Sequence, residues 1–365
     1  MRKRKIIVSC VIASLICMCL TGCKGNDNGN SHVSDNSAVE TVLFPQSYSS
    51  SSEYVDIDLK DIKPQSVAWK SATTSDLDID YEKLAKLFMR EDESYYTELR
   101  EGSLVGKADE YGNYDELIDW YEETRTSGYM TDSMYGYCIN AERDDPEYNL
   151  NKYTERKEFS FATEDDVKQN LAKSFLTVGI DLEHDYDCEV FYLDHNILQQ
   201  EESHEGPDGQ QRAELFKQDW SEDDDAYLLY YHRLYSGLRD YQNNSMGLEV
   251  AETANAQIKV IYGKDGVEEF SAHNLNAYTE DENTEELMDF NTLIHKVEDH
   301  YNSILDGSKH RIISAELVVD REQDLSQGKI KAVPVWAFHI IDEYPGESPV
   351  DYEVRFNAIT GKVMQ

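Results

Sequence analysis

The sequence predicts an α+β fold of duplicated helix-plus-antiparallel-meander units, set behind a signal peptide and a flexible tether. Three observations predict it. Two amphipathic helical stretches, TEDDVKQNLAKSFLTVGI from Thr163 and TEELMDFNTLIHKVEDHYNSILDG from Thr284, end at Gly179 and Gly307. Each is followed by runs rich in β-branched and aromatic residues: CEVFYLD, AYLLYYHRLY, QIKVIY and VEEFSA after the first, RIISAELVVD, KIKAVPVWAFHII, YEVRFN and KVM after the second. The two series match in order (helix, strand, long strand, strand, tight turn, strand), which reads as a repeated unit with a helix laid on a meander.

The chain opens with four basic residues, Arg2 to Lys5, then an apolar run from Ile6 to Leu20. These are the n- and h-regions of a secretory signal, and the run is short for a membrane-spanning helix of about 20 residues. Leu20-Thr21-Gly22-Cys23 follows and resembles the lipobox of bacterial lipoproteins, in which the cysteine receives diacylglycerol and a further acyl chain such as palmitate. Two acyl chains anchor stably where one is marginal. The expected organisation is a lipoprotein signal peptide (1–22) and a disordered tether (23–52) rich in Gly, Asn, Asp and Ser. A mixed α+β region (53–156) and two α+β units (157–280 and 281–365) follow. The expected location is the extracytoplasmic face of the cell membrane.

Charge narrows the partners. The chain holds 34 Lys+Arg against 73 Asp+Glu, a formal net charge of −39, and loss of the four signal cations makes it −43. That excludes nucleic acid and docking on anionic headgroups, and it suits a solvated surface facing neutral or basic partners. Of six cysteines, Cys10, Cys17 and Cys19 leave with the signal and Cys23 carries lipid. Cys138 and Cys188 remain, either as a disulfide pair or as buried free thiols.

Local signals place the other elements. YEKLAKLFM is a helix with Leu84, Leu87 and Phe88 on one face. Thr163 and Asp166 make a capping box, with Val167, Leu171, Phe175 and Val178 as the buried stripe. Leu287, Ile294, Val297 and Tyr301 form the stripe of the last helix. Lys264-Asp265-Gly266 is a hairpin turn. Pro334 cannot donate to a ladder and is expected at an edge or a bulge. Trp336, Phe338 and Ile340 alternate along their strand and are expected to face Ile294 and Val297.

Thr360-Gly361-Lys362 is not a phosphate loop. The upstream glycine is missing, Val363 stands where Ser or Thr is needed, and no helix follows to hold phosphate. Gly361 is instead the positive-φ residue of a closing hairpin.

These last residues carry a resemblance. Pro334 and Trp336, then Asn357, Ala358, Thr360, Gly361 and Val363, are similar to the C-terminal end of YycI-type regulatory proteins and of many Gram-positive lipoproteins, whose small α+β domain is related in shape to PepSY modules. The resemblance covers about the last 80 residues. It implies an extracytoplasmic, non-catalytic domain that contacts another protein. The lipobox, in place of a transmembrane helix, is a departure from that family.

The sequence has no HExxH, GxSxG or CxxC signature. HDYDCEVFYLDH gathers His184, Asp185, Asp187, Cys188 and His195, but a strand through it scatters the set, so no metal is expected. Asp76, Asp78 and Asp80 have calcium-loop spacing. Tyr81 and Leu87 stand where Gly and Glu are required, so an acid-decorated helix start is the reading. Glu222 to Asp225 read as a solvated turn. Trp120, Tyr121, Tyr129, Tyr135 and Tyr137 form an aromatic run with two readings, a stacking or contact surface and half-buried packing. Two functions follow: a lipid-anchored, non-catalytic binding or regulatory module contacting a protein or cell-wall component, and an extracytoplasmic glycan hydrolase using paired carboxylates.

Overall fold

Strands hold 43% of the residues and helices 20%. The computed structural model describes residues 41–109, 113–141, 148–204, 210–212, 215–241, 256–282, 285–304, 306–324 and 328–364. The signal peptide and Cys23 lie outside the described residues.

Along the chain come β1 (Val42–Leu43), β2 (Tyr48–Ser51), β3 (Val55–Leu59), β4 (Ser66–Val67), β5 (Ala72–Asp76) and the short helix α1 (Tyr81–Ala85). Strands β6 (Thr97–Arg100), β7 (Ser103–Val105), β8 (Glu116–Tyr121) and β9 (Thr126–Thr131) follow. Helix α2 (Glu164–Leu176), the single turn α3 (Leu182–Asp185), β10 (Tyr186–Leu193) and α4 (His195–Glu201) lead into β11 (Ala226–Tyr235) and β12 (Leu238–Arg239). Then come β13 (Ile258–Gly263), β14 (Gly266–His273), β15 (Asn276–Glu280), α5 (Phe290–Asn302), β16 (Lys309–Asp324), β17 (Lys329–Glu343) and β18 (Val350–Asn357).

Among the described residues these strands make three sheets. Strands β1 and β4 pair alone. A nine-stranded sheet runs β10-β11-β13-β14-β9-β8-β7-β6, with β12 on the end of β11. A seven-stranded sheet runs β15-β5-β17-β16-β3-β2, with β18 on β17.

This β-rich architecture overturns the expected α+β class of duplicated helix units. Strands after each helix do pair with their sequence neighbours, β10 with β11, β16 with β17 and β17 with β18. Neither set closes on itself. Strand β14 continues to β9, β16 pairs in parallel with β3, and β17 also pairs with β5. Strand β15, placed by sequence in the earlier unit, joins β5 in the seven-stranded sheet. Sequence periodicity reports which face a residue takes but not which remote strand lies beside it.

Both large sheets are covered on both faces, which is why their strands read as unbroken apolar runs. Along β11, Tyr227, Leu229 and Tyr231 pack with α2 residues Val167, Leu171 and Phe175, while Ala226, Leu228 and Tyr230 pack with Leu198 of α4 on the other face. In the seven-stranded sheet, Trp336, Phe338 and Ile340 face Leu293, Ile294 and Val297 of α5, as expected, and Val333, Val335 and Ala337 face the opposite side. A bulge between Ile312 and Ser314 shifts the phase of β16, so Ile312 and then Ala315, Leu317 and Val319 reach one core.

Local chemistry sets the helix ends. Thr163 Oγ1 accepts from Asp166 N and Asp166 Oδ2 accepts from Thr163 N, the expected capping box. Asp80 caps α1 through Lys83 N at 2.8 Å. Helix α5 starts at Phe290, later than its sequence stripe, with Asp289 as cap.

Three further expectations are corrected. Part of the expected tether is folded: β1 and β2 lie within it, and Phe44 is buried edge-on to Trp336, with ring centroids 5.0 Å apart. Within the apolar island Val42-Leu43-Phe44, Phe44 enters the core and Val42 packs against it, while Leu43 stays exposed. Pro334 sits at neither an edge nor a bulge. It lies in a central strand, in the gap between the stretch of β17 paired with β5 (Ile330–Ala332) and that paired with β18 (Val335–Asp342), where no neighbour needs its N–H. Cys138 and Cys188 are free thiols. They pack in the cores on opposite faces of the nine-stranded sheet, so they cannot bridge.

Gly361 behaves as expected. Its φ is +67°, its N–H donates to Asn357 O at 2.8 Å, and Asn357 Oδ1 accepts from Ile359 N and Thr360 N. The T-G-K triplet is a hairpin turn.

Candidate binding cleft

Antiparallel pairing of β8 with β9 and of β7 with β8 brings two turns side by side. One is Glu101-Gly102 between β6 and β7; the other is Glu122–Arg125 between β8 and β9. Gly102 is required there. Its φ is +76°, Trp120 N donates to its carbonyl at 2.8 Å, and a Cβ would stand 2.3 Å from Trp120 O. Between the turns lies an open cleft of about 390 Å³ lined by Glu101, Gly102, Trp120, Tyr121, Glu122 and Glu123.

The five aromatic residues singled out by sequence divide among three environments. Trp120 and Tyr121 line this cleft, Trp120 half-buried and Tyr121 exposed. Tyr129 and Tyr135 are buried, which removes them from any contact surface. Tyr129 donates to Glu116 Oε2 at 2.8 Å, and burial raises its phenol pKa. Tyr135 donates to Asp224 O, and burial raises its pKa too. Tyr137 is exposed and lines a separate cleft of about 610 Å³, its ring tilted by 31° against the His204 ring at 4.3 Å. The charges of that second cleft satisfy one another: Lys152 Nζ meets Glu201 at 2.7 Å, and Asn149 Nδ2 donates to the same carboxylate at 3.1 Å. The run fails as one surface because a strand alternates faces and Tyr135 lies in a separate turn of 3-10 helix.

Cys138 is buried and Cys188 half-buried. Burial pushes both thiols up to about 12.

Within HDYDCEVFYLDH, His184 bonds Asp181, Asp185 pairs with Arg233, and Asp187 pairs with Arg239. Sequence reasoning missed a compact group at its end. Pairing of Leu193 with Ala226 brings Asp225 beside Asp194 and His195, and the three offer ligand atoms within 4.8 Å. Asp225 is therefore buried rather than part of a solvated turn. The group is self-satisfied: Lys157 Nζ lies 2.8 Å from Asp194 Oδ2, and Asp225 Oδ1 accepts from His195 N at 2.8 Å, with His195 Nδ1 also 2.8 Å away.

A second constellation missed by sequence is Ser308, His310 and Asp342. Ser308 Oγ is 3.3 Å from His310 Nε2, and His310 Nδ1 is 2.6 Å from Asp342 Oδ1. The order is that of a nucleophile, base and orienting acid. All three are buried, however, and Ser308 Oγ donates to Asp306 Oδ1 at 2.6 Å. Buried and bonded in this way, the set ties β16 to β17, and the His310 ring packs on Tyr301 of α5 with centroids 4.9 Å apart.

No protein-family model matches the chain, and a search of curated proteins gives no match. The fold is similar to that of an uncharacterised protein from Eubacterium rectale. The TM-score is 0.55 and the identity 13%, over 88% of this chain and 94% of that one. At that identity the likeness concerns the fold alone. No helix among the described residues is long and apolar enough to cross a membrane.

Proposed function

We propose that this chain is a lipid-anchored, extracytoplasmic, non-catalytic binding or regulatory lipoprotein that contacts a protein or cell-wall component. The observation that carries the reading is the Trp120–Tyr121 cleft: two aromatic side chains on an open face, rimmed by carboxylates and large enough for a small-ligand or peptide contact. The lipobox at Cys23 supplies the anchor. The resemblance of the C-terminal residues to YycI-type and PepSY-like regulatory domains points the same way. Replacing Cys23 with Ala is expected to move the protein from the membrane fraction to the soluble fraction after signal cleavage. Purified protein is expected to be retained by isolated cell wall, or by a solubilised membrane-protein partner, without releasing sugars or peptides. Turnover abolished by replacing a single Asp or Glu would replace this reading with the glycan hydrolase.

A further inference from the structure

We propose that the pocket between α2 and the β10–β11 pair binds a small, neutral, mostly apolar molecule that carries a carbonyl-type hydrogen-bond acceptor. This site is separate from the Trp120–Tyr121 cleft, and the inference does not depend on that cleft's role. Packing builds the space. Tyr186, Cys188 and Tyr231 belong to the core on the face of the nine-stranded sheet that α2 covers. Lys168 and Ala172 of α2 and Leu182 of α3 stand over them and leave a pocket of about 270 Å³. A cavity of ~150 Å³ with apolar walls holds a benzene ring, so this one admits a fused bicycle. Its walls are methyl groups, a thiol and two phenol rings, the apolar lining that small-molecule sites share.

Unmet donors are the second, independent observation. Tyr186 and Tyr231 are only 6% and 2% exposed, and neither hydroxyl has a hydrogen-bond partner among the described residues. Buried hydroxyls are normally paired, so two orphans lining one pocket mark a place for an acceptor. The neighbour of Tyr231 across the ladder is the Cys188 thiol, a weak partner. The Arg233 guanidinium lies 5.2 Å from the Tyr186 ring and can only donate, so it offers the phenol proton no acceptor. Burial raises both phenol pKa values, so both groups stay protonated donors at neutral pH. Charge selects a neutral ligand. Asp165 and Glu183 are exposed and line the same pocket, while the Lys168 ammonium is held by Glu164 at 2.6 Å. A carboxylate would meet like charge there without a free cation to offset its desolvation. A neutral carbonyl accepts from the phenols without that cost.

The test is calorimetric titration of the full-length protein in detergent, against a micelle-only blank, with three probes: indanone, indane (the same bicycle without the carbonyl) and indane carboxylate. Indanone is expected to bind one to one and about tenfold tighter than indane, with the carboxylate weakest. Tyr186→Phe and Tyr231→Phe keep both rings and shed only an unpartnered hydroxyl, so each should fold with an unchanged or higher thermal midpoint. In the two together, indanone affinity should fall to that of indane. The carbonyl stretch of bound indanone, read by isotope-difference infrared spectroscopy, should lie below its value in hydrocarbon solvent and return toward it in the double variant. Ala172→Leu fills the pocket from α2 without changing a polar group, and it should abolish binding of indanone and indane alike. It keeps the test valid should a tyrosine variant fail to fold. Equal affinity for indanone and indane, or indanone binding unmoved by the tyrosine variants, would leave only an apolar hole and overturn the acceptor reading. A carboxylate that binds as well as the ketone would overturn the neutral ligand. Binding of no probe, or binding that survives Ala172→Leu, would overturn the site itself.

Discussion

Trp336 has no exposed surface, and its ring lies edge-on to Phe44 and Phe290 with centroids 5.0 and 5.1 Å away. Trp336→Ala should cost about 3–5 kcal/mol, because the ring's contacts are lost and the surrounding rings cannot close the space. A urea melt checks it; an unchanged midpoint would contradict the packing. Glu202 makes a prediction in pH. Burial pushes its pKa up, but bonds from Lys217 N, Trp220 Nε1 and His204 outweigh burial and hold the carboxyl below its ordinary range. The folded pKa is thus below the unfolded one. Its contribution is present in full above the ordinary glutamate range and is lost as pH falls through it. Glu202→Gln should lower stability at neutral pH and flatten the acid limb of the melting temperature against pH. An acid limb as steep as the wild type's would assign that loss to other groups.

At the scale of elements, α2 shows how far local rules reach. Its stripe, Val167, Leu171 and Phe175, is buried, and its cap is made by the two residues expected from sequence. Thr163→Ala should cost about 1 kcal/mol, read as a shift in the urea midpoint without a change in slope. Helix α5 shows where those rules stop. Its stripe extends back to Leu287, yet Met288 N donates to Ala358 O in the closing hairpin at 2.8 Å. That bond holds the segment extended, and the helix starts only at Phe290. A tertiary hydrogen bond overrode a helical pattern, and the local residue that fits the shifted start is Asp289, which caps the helix through Thr292 N at 3.1 Å.

At the scale of the molecule, strands from the two ends of the chain complete one sheet. Strand β3 lies parallel to β16, with Val55 beside His310 and Ile57 beside Ile312. Val55, Ile57, Leu59, Ile62 and Trp69 share a core with α5 and Trp336. Residues 281–365 expressed alone should therefore lack cooperative unfolding and cross-strand amide protection, and a co-expressed piece covering residues 39–80 should restore both. A fragment that melts cooperatively by itself would show that the remote strands are dispensable.

The sequence by itself determined what is settled over a few residues: the Thr163 cap, the turn at Gly361, the hairpin turn at Lys264-Asp265-Gly266, and the inward row of Trp336, Phe338 and Ile340. Each depends on a φ preference, a side-chain cap or a two-residue alternation, all written locally. Only the tertiary structure decided the β-rich class, the separation of Cys138 from Cys188, the burial of Tyr129 and Tyr135, and the meeting of the Glu101 and Glu122 turns around Trp120. Those depend on which strands lie side by side. That choice is made by burying both faces of two wide sheets at once, and a strand buried on both faces carries no mark of its neighbour.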